Sequence, residues 1–168
     1  IIGRINGDAD EQGPCEVRGC INRKPVHCDA NRGTVGGIVG CSAAGVISGC
    51  SNLGEVYVTY KKGVARQSQA GGIIANAWGD TVIEDCENEG EVYCRTNSDT
   101  QTESTIAGGI VGWLEGSSTV KNCTNKEAAV VKGLANSSKA QAASYAGGIV
   151  GYNQATSSEA VYGCKNYG

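Results

Sequence analysis

One phrase dominates this chain and limits what it can fold into. It reads Gly36-Gly37-Ile38-Val39-Gly40, Gly71-Gly72-Ile73-Ile74-Ala75, Gly108-Gly109-Ile110-Val111-Gly112 and Gly147-Gly148-Ile149-Val150-Gly151. Its copies begin 35, 37 and 39 residues apart. A second phrase, apolar-x-x-Cys-x-Asn, follows each first one. It recurs at Val17…Cys20…Asn22, Ile47…Cys50…Asn52, Ile83…Cys86…Asn88, Val120…Cys123…Asn125 and Val161…Cys164…Asn166. Beyond each Cys come apolar pairs spaced by two, at Val26/Cys28, Val56/Val58, Val92/Cys94 and Ala129/Val131. That spacing is strand alternation with one face buried. A fixed period of this length means stacked units, each too small to bury its own apolar face.

The expected architecture is therefore all-β: a parallel β-solenoid of about 35–40 residues per coil. A right-handed coil is expected from the hand of parallel crossovers. Residues 1–168 form a single unit, with repeats near 1–35, 36–70, 71–107, 108–146 and 147–168. Each repeat supplies three strands: the Gly-Gly-Ile-Val stretch, the stretch entering the Cys, and Glu55-Val56-Tyr57-Val58 or its equivalent. Length varies most at residues 59–70, 95–107 and 132–146, which read as polar loops. The first and last repeats are incomplete and there is no initiating Met. This reads as a piece of a larger chain, with neighbouring coils or caps and flanking domains.

Composition agrees with narrow pleated layers. The chain has 26 Gly, 2 Pro, no Phe and no Met, and small or β-branched residues supply most of its apolar content. The net charge is −3, with no basic stripe, which argues against a nucleic-acid partner. No apolar run approaches a membrane span.

These phrases resemble the GLUG-motif repeats of bacterial surface proteins, which carry Gly-Gly-aliphatic-Val-Gly, a polar turn, then aliphatic-x-x-Cys-x-x-x-Gly-x-Val. The likeness covers nearly the whole chain. It departs where Ala75 replaces the last Gly, and where Lys24 and Glu127 replace the Gly of the Asn-x-Gly turn. The resemblance implies a secreted or cell-surface bacterial β-helical module of the adhesin kind. It carries no catalytic residue over, because the motif has none.

Stacking turns each repeated residue into a column. Cys20, Cys50, Cys86, Cys123 and Cys164 form one. Metal or redox chemistry is one reading, and a buried thiol column acting as small hydrophobes is the plainer one. The steps of 30 to 41 residues between them lack the close pairing of metal-binding Cys, so no metal is expected. Cys28 and Cys94 share another column, separated by Val58. Cys15 and Cys41 sit beside turns in adjacent coils and are the one candidate disulfide pair. Asn22, Asn52, Asn88, Asn125 and Asn166 are expected to form a structural amide ladder.

The outward residues of the third strand form the candidate ligand face: Tyr57, Tyr93, Glu55, Glu91 and Arg95. Counting from each Cys puts His27, Tyr57, Tyr93 and Val130 in one column. Pro25, Glu55, Glu91 and Ala128 fall in the next. Asp29, Thr59, Arg95 and Lys132 make a third. Stacked Tyr rings flanked by charge can receive a sugar, and equally serve as an aromatic ladder that steadies the sheet. Glu55 and Glu91 fall one coil apart, near the carboxylate spacing of retaining glycosidases, but any stacked pair would. Glu84 is expected beside Lys121, and Glu89 beside Lys126, as cross-coil ion pairs. Trp78 and Trp113 read as turn residues. His27, the only histidine, reads as an exposed strand position.

The resulting expectation is a non-catalytic extracellular repeat module, not an enzyme, with no cofactor. Its partner would be a glycan or protein on a host or neighbouring cell. The alternatives are a polysaccharide-binding or polysaccharide-degrading β-helix protein and an ice-binding solenoid. The last requires a repeated Thr array, and Thr59 has Asp29 and Arg95 as column mates.

Overall fold

The computed structural model describes residues 2–6, 14–30, 32–59, 67–97, 104–136 and 143–168. Among them every regular element is a strand and every strand pairing is parallel. The chain is a β-solenoid, and like phrases lie over one another. Asn22 aligns with Asn52, Asn52 with Asn88, Asn88 with Asn125, and Asn125 with Asn166. Gly36, Gly71, Gly108 and Gly147 likewise share one register.

Each full coil has four faces rather than the three expected. The long face carries the stretch that starts at the fourth residue of the Gly-Gly-Ile-Val phrase and the stretch entering the Cys. In two coils these fuse into continuous strands, Val39–Ser48 and Ile74–Glu84. The register between the two shifts at Ala77/Asp80. The asparagine face holds two-residue strands, such as Ser51–Asn52 and Glu87–Asn88. The tyrosine face holds Val26–Asp29, Val56–Thr59, Val92–Asn97 and Val131–Asn136. The fourth, a glycine face, holds Thr34–Gly36, Ser68–Gly71, Thr105–Gly108 and Ser144–Gly147.

The glycine face overturns part of the loop reading. Residues 68–70, 105–107 and 144–146 are strand. So are the tyrosine-face residues at the other ends of those segments. Their inward column is Val35, Ala70, Ala107 and Ala146, mostly a single methyl deep. Such a short column of small residues gives almost no periodic apolar signal, yet Ala70 and Ala107 are fully buried.

Two apolar clusters fill the tube. The larger joins Ile38, Ile47, Ile73, Ile83, Ile110 and Val120 with the central Cys residues. The smaller joins Val35, Val56, Val58, Val92, Cys94 and Ala107. The asparagine amides lie against the Gly-Gly corners. A methyl group on Gly37 would overlap the Asn52 amide and the Gly72 carbonyl, and one on Gly72 would overlap the Asn88 amide and the Gly109 carbonyl. The two repeated phrases therefore explain each other. A corner without side chains leaves room for a buried amide, which bonds the next Asn and a carbonyl of its own turn.

Candidate ligand face

The tyrosine face builds the predicted column, with one correction in its top rung. His27 aligns with Tyr57, and Tyr57 with Tyr93. The ring centroids are 5.4 Å apart for the first pair and 4.5 Å for the second. Tyr93 then aligns with Lys132, not Val130, and Arg95 aligns with Leu134, not Lys132. The cause is a longer turn. The Asn52 and Asn88 amides donate to the carbonyls of Gly54 and Gly90, two residues on. The Asn125 amide instead donates to the carbonyl of Ala129, four residues on. Two extra residues sit in this turn, so Ala129 and not Glu127 takes the place of the turn glycine. Counting from Cys123 then misplaces everything beyond it by two.

The charges arrange themselves around this column. Glu91 Oε1 lies 2.7 Å from Lys132 Nζ, and this hydrogen bond raises the Lys132 pKa. Val56 N donates to Glu91 O and Val26 N to Glu55 O, so both acidic residues flank the strand at the same level of successive coils. Glu55 is exposed and Glu91 half-buried. Thr59 and Asp29 share a side-chain hydrogen bond. Arg95 Nε is buried, with no hydrogen-bond partner among the described residues. Desolvation, then the neighbouring Tyr93 and Glu91, raises the Tyr57 pKa. The inner ring faces of Tyr57 and Tyr93 are turned toward each other. A ligand therefore meets ring edges, phenol hydroxyls, the His27 imidazole, the Lys132 ammonium and flanking carboxylates.

The cysteine column forms, and its ends differ from its middle. Cys50, Cys86 and Cys123 are fully buried, whereas Cys20 is exposed and Cys164 half-buried. Cys20 and Cys164 belong to the outermost rungs among the described residues. Donation to Cys123, then burial, raises the Cys86 thiol to about 12. Cys164 similarly raises Cys123 to about 12, while its own pKa falls to about 7 on accepting from Cys123. Among the described residues, no group of three or more His, Cys, Asp or Glu is placed to hold a metal ion.

The Cys15–Cys41 disulfide does not form. Both are free thiols. The Cys15 carbonyl accepts from the amide of Val46, while Cys41 aligns with Arg4 and Asn76. Adjacent coils bring the two segments together with a register offset of several residues, too far for a disulfide.

Glu84 and Lys121 pair at 2.6 Å as expected, but Lys126 pairs with Glu87 at 3.0 Å rather than with Glu89. The tryptophans are strand residues of the long face, not turn residues. Arg4 lies over Trp78, 5.2 Å from the ring centroid. Trp113 meets Tyr152 edge-on at 5.5 Å, and Tyr152 meets Tyr145 at 4.8 Å. Sequence reasoning missed this second aromatic cluster. Its signal was the equal offset of Trp113 and Tyr152 from their Gly-Gly pairs. Among the described residues no helix is long and apolar enough to cross a membrane. No family model, curated protein or solved structure matches this chain.

Proposed function

We propose that this chain is a non-catalytic display and adhesion module of a secreted or cell-surface bacterial protein, built from GLUG-like repeats. Its tyrosine face would hold a saccharide chain or a polar protein surface. The carrying observation is the Tyr57–Tyr93 pair, held at 4.5 Å by strands in parallel register. Around it, hydroxyl, imidazole, ammonium and carboxylate groups repeat at the coil spacing of about 4.8 Å. A rigid strip of alternating donors and acceptors suits a ligand that itself repeats hydroxyl groups along its length. The strip is preorganised, which lowers the ordering cost of binding.

An enzymatic reading of Glu55 and Glu91 finds little support in this geometry. The Glu91 carboxylate is bonded to Lys132.

The test is a glycan array read with the native protein and with a Tyr57→Ala/Tyr93→Ala double variant, both checked for the strand signature by circular dichroism. The reading expects glycan signals that fall at least about tenfold in the variant, the usual cost of losing one or two contact residues. Signals indifferent to both tyrosines would move binding off this face.

A further inference from the structure

Tyr57 and Tyr93 are held together from behind. On either side of them Val56, Val58, Val92 and Cys94 are fully buried, and the strands pair Val56 with Val92 and Val58 with Cys94. Neither strand can slip by one residue without turning these side chains out of the core. The two rings are therefore lasting neighbours, with centroids 4.5 Å apart and planes tilted by 34°. Both side chains are half-buried, so part of each ring stays open to solvent.

The phenol ends also lie side by side. Burial is the first cause of the raised Tyr57 pKa, and Tyr93 adds to it both by its charge and by hydrogen bonding from its hydroxyl group. The ortho carbons of a phenol flank its oxygen, so the ortho positions of the two rings approach each other where the hydroxyls do. The pair is also isolated within its column. The ring below is the His27 imidazole, 5.4 Å from Tyr57, and the position above Tyr93 is Lys132. Neither is a phenol.

Paired phenols can undergo a reaction that a lone phenol cannot. A one-electron oxidant takes an electron and the hydroxyl proton from each ring. The two phenoxyl radicals join through their ortho carbons, forming one carbon–carbon bond. The ring hydrogens on those carbons then move to the oxygens, which restores both phenols. Two electrons and two protons leave in all, and hydrogen peroxide takes them up as two molecules of water. Fixed neighbours react faster than diffusing ones, because the entropy of encounter is already removed.

We propose that Tyr57 and Tyr93 form a site of oxidative cross-linking, where hydrogen peroxide and a haem peroxidase convert the stacked pair to dityrosine and staple one coil to the next. The bond closes the chain between residues 57 and 93, and so restricts the unfolded state as a disulfide over the same span would. Both hydroxyls remain on the ligand face. The proposal rests on the ring pair alone and is independent of any saccharide. Tyr145 and Tyr152 are the rival pair, at 4.8 Å and 43°. They flank the Gly-Gly corner of a single coil, so a link there would join no two coils.

The test uses the whole protein, dilute, with its accessible thiols alkylated first so that they do not consume the oxidant. It is treated with hydrogen peroxide and a haem peroxidase, beside N-acetyltyrosinamide as a check on the oxidant. Dityrosine fluorescence, intact mass and peptide mapping are read. A monomer lighter by two hydrogens, a mapped Tyr57–Tyr93 link and a higher urea midpoint than untreated protein are the expected results. Tyr57→Phe and Tyr93→Phe remove a hydroxyl but keep the ring, and circular dichroism checks that each keeps the strand signature. Each should lose the link and its fluorescence. Full fluorescence in either variant would overturn the proposal, as would links made chiefly between molecules or through Tyr145 and Tyr152. So would a native protein left unlinked under conditions that couple N-acetyltyrosinamide.

Discussion

Asn52 Nδ2 donates to Asn88 Oδ1 at 2.8 Å and to the Gly54 carbonyl at 2.8 Å. One buried amide thus ties a coil to the next and closes its own turn. The pattern repeats from Asn22 to Asn166, so it governs both register and corner geometry. A one-coil offset leaves every amide paired with a like amide, whereas a shift of one residue pairs none of them.

The central rung should be the most sensitive. In Asn88→Leu, the Gly90 carbonyl and the Asn125 Oδ1 lose a donor and the Asn52 amide loses an acceptor, all within the buried stack. Unfolding in urea is expected to show a loss of about 3 kcal/mol or more, since each stranded buried group costs about 1–3 kcal/mol. Asn166→Leu, at the exposed end, should cost about 1 kcal/mol, the net worth of an ordinary hydrogen bond. Equal losses at the two positions would contradict a ladder whose strength comes from burial.

Glycine at the corner is a matter of space. In Gly72→Ala the new methyl overlaps the Gly109 carbonyl and the Asn88 amide, and backbone cannot swing aside as a side chain can. A loss of about 3 kcal/mol or more, or failure to fold, is expected from such overpacking. Gly3→Ala is the matched control. Nothing lies within 4 Å of its would-be methyl, so thermal melts should move by less than about 0.5 kcal/mol. A tolerant Gly72→Ala would show that the coil spacing can stretch.

Buried thiols make the fold sensitive to base. Desolvation raises the Cys94 thiol to about 12, from an ordinary value near 9. The unfolded chain releases this proton first, so the stabilisation is complete below pH 9 and is lost as pH rises toward about 12. Melting temperature should fall across that window. Cys94→Val, which copies the Val58 of the rung below, should flatten part of the fall while changing neutral-pH stability by less than about 1.5 kcal/mol. A variant with an unchanged alkaline slope would exclude Cys94 as a contributor.

Cys164 should behave oppositely. Its thiol is held at about 7 by the hydrogen bond it accepts from Cys123, and it is half-buried at the end of the column. Alkylation of native protein at pH 7 is expected to reach Cys164 well before Cys86 or Cys123, read by peptide mass mapping. Its rate should level off above pH 8, once the thiolate is fully formed. Labelling of Cys86 at the same rate would show that the column opens to solvent.

Most of the stack was legible because its signals are periodic. The Asn and Cys columns fall where the repeat puts them, as does the Tyr57–Tyr93 pair, because equal offsets from a repeated phrase become neighbours when coils stack. Lys132 was misplaced because a turn two residues longer leaves no mark in composition. Lys126 chose Glu87 over Glu89 because long side chains reach beyond their own rung, and register alone does not rank such partners.

The amino-acid order alone determined that like residues would meet in parallel columns, since a periodic pattern of short apolar strands has few other ways to bury itself. Only the tertiary structure decided which columns are dry. Cys20 and Cys86 occupy equivalent places in the repeat, yet one is exposed and the other sealed, because burial depends on having a coil on both sides. The glycine face was decided in the same way. It arises where the coil closes around its small residues, and closure is not a property of any single repeat.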